Sequence, residues 1–124
     1  MRILIVEPER RPVIKEIDGS LKAMQSIVGG YIQAIYPFDD SVALVANDEG
    51  KLMNLPANRG LLDKNGQIYD IVCGTFFLCG ASLDCDHFIS LTPEQIERYR
   101  ERFHTPEMFL GVNGRIVCLP LEVD

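Results

Sequence analysis

The sequence has no tryptophan and only two histidines, His87 and His104, among its 124 residues. Histidine is the side chain whose charge changes nearest neutral pH, so its scarcity leaves little material for general acid–base chemistry. Positive charge is also short: 12 Lys and Arg stand against 18 Asp and Glu, a formal net charge of −6. Binding along a nucleic-acid backbone needs clustered cations that release counterions, so nucleic acid is a disfavoured partner. No stretch of about 18 apolar residues runs free of charge, which speaks against a membrane-spanning helix. The opening Met1-Arg2-Ile3-Leu4-Ile5-Val6-Glu7 has one basic residue and a short apolar run that ends at an acid. It reads as a first strand rather than an export segment, and a cytoplasmic protein is expected. Cys73, Cys79, Cys85 and Cys118 are then expected to be reduced thiols rather than bridges.

What is present is ordinary globular material, 47% hydrophobic and 24% charged, in a length that suits one domain over residues 1–124. Arg2–Glu7 and Pro12–Ile17 are β-branched-rich segments around Pro8-Glu9-Arg10-Arg11, which predicts an opening hairpin. Ser20 is a candidate N-cap for a helix carrying Leu21, Met24, Ile27 and Val28 on one face and stopping at Gly29-Gly30. Residues 31–36 and 42–46 read as strands about a Pro37-Phe38-Asp39-Asp40 turn. Asn47-Asp48-Glu49-Gly50 predicts another turn, with Gly50 at positive φ, into a strand over Lys51–Leu55. Pro56–Gly60 reads as a polar loop, and Asn65-Gly66 as a hairpin turn. Gln67–Cys79 is almost continuously apolar and predicts central strands buried on both faces. Thr92-Pro93-Glu94-Gln95 is a capping box that opens a helix to about His104, and Asn113-Gly114 joins two final strands. Hairpins with two inserted helices predict an α+β fold with a mostly antiparallel, or mixed, sheet and both helices packed on it.

The Pro56–Gly60 segment puts the amide of Asn58 and the guanidinium of Arg59 beside a rigid Pro and a permissive Gly, a pairing able to present planar donors to a carboxylate or phosphate. The alternative is that Asn58 caps a turn and Arg59 pairs with a surface carboxylate or with Asp70. Asp70 sits between Tyr69 and Ile71 in an apolar stretch, so a partner is expected for it, and Thr75, Phe76 or Phe77 could line a pocket below. The candidate ligand-binding set is therefore Asn58, Arg59, Tyr69, Asp70 and Thr75. Cys73, Cys79, Cys85 and His87 miss the tight C-x-x-C spacing of structural zinc sites, and Cys73 and Cys79, if on one strand, would share a face as core residues. Neither a metal nor a cofactor is expected. Cys85-Asp86-His87 holds a nucleophile, an acid and a base in adjacent positions, which rarely aim at one another. His104 suits the C-terminal end of a helix dipole.

Glu16-Ile17-Asp18-Gly19-Ser20-Leu21, Val28-Gly29-Gly30-Tyr31-Ile32, Leu55-Pro56-Ala57-Asn58-Arg59 and Tyr69-Asp70-Ile71-Val72-Cys73-Gly74-Thr75-Phe76-Phe77, in that order, resemble a small bacterial and phage family, domain of unknown function 3846. The resemblance runs from the first strand through the helix opened by Leu91-Thr92-Pro93-Glu94-Gln95; the last hairpin stands outside it. That family's members tend to occur in Gram-positive gut bacteria and on mobile elements. The resemblance implies an accessory or host-interaction protein and carries over no catalytic residue. The reading is a non-enzymatic binding protein whose small molecule or protein partner engages the Asn58-Arg59 loop. The alternative is a mobile-element or phage-derived antagonist of protein interactions that uses its acidic surface, and a homodimer through an exposed edge strand is open to either.

Overall fold

Both helices begin where the side chains can satisfy free backbone N–H groups. In the computed structural model, which describes residues 1–122, the Ser20 hydroxyl accepts from the Ala23 N–H at 3.1 Å, and helix α1 spans Leu21–Val28. Gly29 ends it at φ 77°, its N–H donating to the Gln25 carbonyl. Helix α2, Pro93–Arg102, starts with the reciprocal box: Gln95 N–H to Thr92 Oγ1 at 3.1 Å and Thr92 N–H to Gln95 Oε1 at 3.0 Å.

The strands are β1 (Arg2–Val6), β2 (Val13–Glu16), β3 (Ile32–Ile35), β4 (Val42–Asn47), β5 (Ala57–Leu62), β6 (Ile68–Cys73), β7 (Phe76–Gly80), β8 (Glu107–Val112) and β9 (Arg115–Pro120). A five-stranded sheet in the order β2-β1-β7-β4-β3 is flanked by two ribbons, β5-β6 and β8-β9, and every pairing is antiparallel. The fold is α+β with antiparallel sheets.

Side-chain alternation divides the five-stranded sheet into two apolar faces. Leu4, Val6, Val42, Leu44, Phe76 and Leu78 pack with Ile96, Tyr99 and Phe103 of α2 and its end, and with Leu61 and Val72 of the β5-β6 ribbon. Ile3, Ala43, Val45, Phe77 and Cys79 pack under Met24 and Val28 of α1. The adjacent Phe76 and Phe77, both 0% exposed, therefore fill opposite cores.

Three segments depart from the sequence-based expectations. Lys51–Asn54 forms turns, not a strand: Met53 N–H reaches the Glu49 carbonyl, and Asn54 takes φ 55°. Gly50 is required by close approach rather than by positive φ, since a Cβ there would lie 2.6 Å from the Cys73 carbonyl oxygen. Residues 67–79 split: β7 is central and wholly buried, whereas β6 belongs to the ribbon, and the chain turns between them at Gly74, φ 86°. Cys73 and Cys79 thus lie on strands of different sheets. Finally, Pro56–Gly60 is not a loop, because β5 begins at Ala57.

Candidate functional site

Asn58 and Arg59 are consecutive strand residues, 0% and 1% exposed. Strict alternation would send one of them to solvent. A register shift between Ala57 and Arg59, opposite Cys73 and Val72, breaks the alternation and turns both side chains inward.

Their polar atoms are fully engaged. The two Asn58 Nδ2 hydrogens go to the Val6 carbonyl at 2.8 Å and the Gly74 carbonyl at 2.9 Å, while Oδ1 accepts from Arg59 Nη1 at 2.8 Å. Arg59 Nη1 also donates to the Asn58 carbonyl, Nη2 donates to the carbonyls of Arg10 at 2.7 Å and Phe103 at 3.0 Å, and Nε reaches Phe103 at 3.4 Å. All five guanidinium hydrogens have acceptors. The Phe103 carbonyl is one that α2 cannot satisfy at its own C-terminus, and the cation sits favourably against that end of the dipole. Burial lowers the guanidinium's proton affinity, and the nearby Glu107 carboxylate works in the opposite direction. The pair ties β5 to β1, to the β1–β2 turn, to the β6–β7 corner and to the end of α2, and it leaves no donor for a ligand.

The other candidates are placed apart from it. Tyr69 is 55% exposed on β6. Asp70 lies opposite Leu61 and takes Lys51, not Arg59, as its partner, Nζ to Oδ1 at 2.6 Å. The turn that displaces the expected Lys51–Leu55 strand is what brings that lysine there. Thr75 is half-buried at the β6–β7 corner. The five residues do not converge.

A different region has the form of a site. An open concavity of about 1040 Å³ lies between the start of α1, the β3–β4 turn and the loop after β7. Its lining includes Asp18, Asp39, Asp40 and Asp86, with Tyr36 and Phe88 among its apolar walls, and among the described residues no Lys or Arg. Asp40 is held by the sheet and by α2 together: Ser41 N–H at 2.7 Å, Tyr99 Oη at 2.8 Å, Gln95 Nε2 at 3.2 Å and a charged contact from Arg98 Nη1. Burial opposes its ionisation, but the hydrogen bonds from Tyr99, Gln95 and Ser41 and the charge of Arg98 outweigh it and hold the carboxyl below its ordinary value. The Tyr99 hydroxyl is pushed up to about 12 by burial and by that carboxylate. Asp18 is lowered by hydrogen bonds from Ser20, and Asp86 by its hydrogen bond with His87, Nδ1 to Oδ1 at 3.1 Å. These carboxyls are anionic at neutral pH. Asp40 is already occupied, which leaves Asp18, Asp39 and Asp86 facing the opening.

By sequence, Tyr36 ends a strand, Pro37–Asp40 is a turn and Gln95 is a cap. The only hint of more was the density of carboxylates in those turns, since residues 40 and 95–99 meet only in the folded chain. Cys85 and His87 are both exposed beside the concavity, and the His87 ring is engaged by the neighbouring Asp86. Among the described residues no group of three His, Cys, Asp or Glu is placed to hold a metal ion, and no helix is long and apolar enough to cross a membrane.

No curated protein and no solved structure matches this chain. A family model does match, over residues 1–104, a span that contains the five-stranded sheet, the β5-β6 ribbon, both helices and the whole concavity and stops short of β8-β9. On that match the chain belongs to the family described as Domain of unknown function (DUF3846).

Proposed function

We propose that the protein is a non-enzymatic binding module that takes a basic, partly aromatic segment of a partner protein into the concavity beside Asp39. The observation that carries this reading is the sign of the wall: Asp18, Asp39 and Asp86 face the opening, and among the described residues no Lys or Arg lines it. Carboxylates around apolar surface favour cations with long stems, since the stem packs on the wall while the head meets the charge. Tyr36, 63% exposed, offers a ring face to a guanidinium. Asn58 and Arg59 act as the internal tie that fixes the strands beneath, rather than as the ligand contact. The acidic antagonist of mobile-element type is a second reading favoured by the same three aspartates, its occupant then being a segment of a host protein.

Titrating isotope-labelled protein with a hexapeptide of alternating Arg and Trp tests this by amide chemical shifts. The shifts should concentrate in Tyr36–Ser41 and Ala81–Phe88, fade as salt rises to about 0.5 M, and vanish when Asp18, Asp39 and Asp86 are changed together to Asn. Shifts that scatter over the surface, or that survive the neutralised variant, would sink the reading.

A further inference from the structure

The β8-β9 ribbon inverts the usual placement of apolar residues. Cross-strand neighbours share a face, and the pairs Met108–Leu119, Leu110–Val117 and Val112–Arg115 put five apolar side chains together. Each of the five is 37–47% exposed, and Ile116 on the other face is 62% exposed. The ribbon meets the body through β5, where the Gly60 N–H donates to the Glu107 carboxylate at 3.0 Å; the same carboxylate accepts from the Cys118 thiol across the ribbon at 2.6 Å.

The outer edge is apolar along its middle. Among the described strands, β9 is hydrogen-bonded to β8 alone. Edge strands ordinarily carry charge, bulges or proline that deter pairing. β2 has Lys15 and Glu16 and β6 has Asp70, whereas β3, Ile32–Ile35, carries no charge. β9 carries Arg115 and Pro120 at its two ends and presents Ile116-Val117-Cys118-Leu119 between them in unbroken register.

We infer that the ribbon is a self-association element in which two copies of the chain join β9 to β9, antiparallel, about a twofold axis near Val117 and Cys118. The occupant follows from charge: antiparallel pairing separates the two Arg115 side chains and carries each toward the partner's Glu122, so opposite charges bracket an uncharged centre. A two-stranded ribbon is marginal by itself in water, and the union makes four strands with one continuous apolar face. Roughly six residues a side take part, against roughly 20–30 in a standard interface, so the dimer is weak and reversible. This inference is independent of the concavity.

Sedimentation of the full chain from about 5 to about 500 μM tests it, the range in which so small an interface associates. The mass should climb from 13.9 kDa toward twice that value. Val117→Lys, which sets two cations beside the axis, should hold the protein at the monomer mass throughout, while Leu110→Lys, on β8 away from the edge, should still associate. Hydrogen exchange gives a readout that no folding defect of a variant can mimic: the β9 amides of the unaltered protein should gain protection with concentration. A wild-type chain that stays monomeric at the top concentration overturns the inference. So does association that Leu110→Lys abolishes and Val117→Lys spares.

Discussion

Two short strands of this molecule treat polarity in opposite ways. In β5 the polar Asn58 and Arg59 lie in the core, and in β9 the apolar Ile116–Leu119 lies largely against solvent. The difference is one of partners. The β5 pair meets the carbonyls of Val6, Arg10, Gly74 and Phe103, which satisfy its donors inside the fold. Nothing described in this chain packs over the outer side of β9. Burial here follows which groups need one another after the chain has folded, and residue polarity is only the first approximation to that.

The comparison breaks most sharply at Arg59. Arg59→Ala strips the donor from three separate carbonyls and should cost roughly 3–5 kcal/mol, read as a lower urea midpoint. Arg59→Lys should recover only part of this, since an ammonium has three donors and no planar fork. Asn58→Ala should follow at roughly 2–3 kcal/mol, because the Val6 and Gly74 carbonyls lose their donor while the rest of the tie remains.

A smaller effect belongs to Asp40 and has a definite pH sign. Its folded pKa lies below the ordinary 3.8, so the stability it contributes is fully present above that value and is lost as pH falls through the folded one. Urea midpoints should therefore fall less steeply with acid in Asp40→Asn than in the wild type, and parallel pH curves would remove Asp40 as an anchor of the β3–β4 turn. The smallest change is predicted at the other pole of the comparison: Val117→Thr in the dilute protein should shift stability by no more than about 0.5 kcal/mol. A cost near that of Asn58→Ala would mean that β9 is packed against something after all.

Much of the architecture can be read before folding. Thr92, Pro93 and Gln95 mark their helix because each satisfies a local backbone need, and both caps form as expected. Asn113-Gly114 takes positive φ at both residues, 51° and 76°, as a two-residue hairpin requires. Misreadings cluster where a distant segment decides. Asn58 and Arg59 have the composition of a loop, and only the bulge against β6, together with carbonyls 44 to 52 residues away, makes them interior. Gln67–Cys79 is almost continuously apolar, so composition could not separate a ribbon strand from a central one. The concavity was legible only as scattered acidic turns.

The sequence by itself determined the caps, most of the hairpin turns, the antiparallel habit and the excess of negative charge, because each of these is written in neighbours a few residues apart or in a simple sum. Tertiary structure alone decided which strand is central, that a guanidinium becomes an internal brace, that aspartates from three separate loops share one opening, and that an apolar edge is left outside. Those outcomes depend on long-range contacts, whose free energies belong to pairs of groups that the chain brings together only by folding.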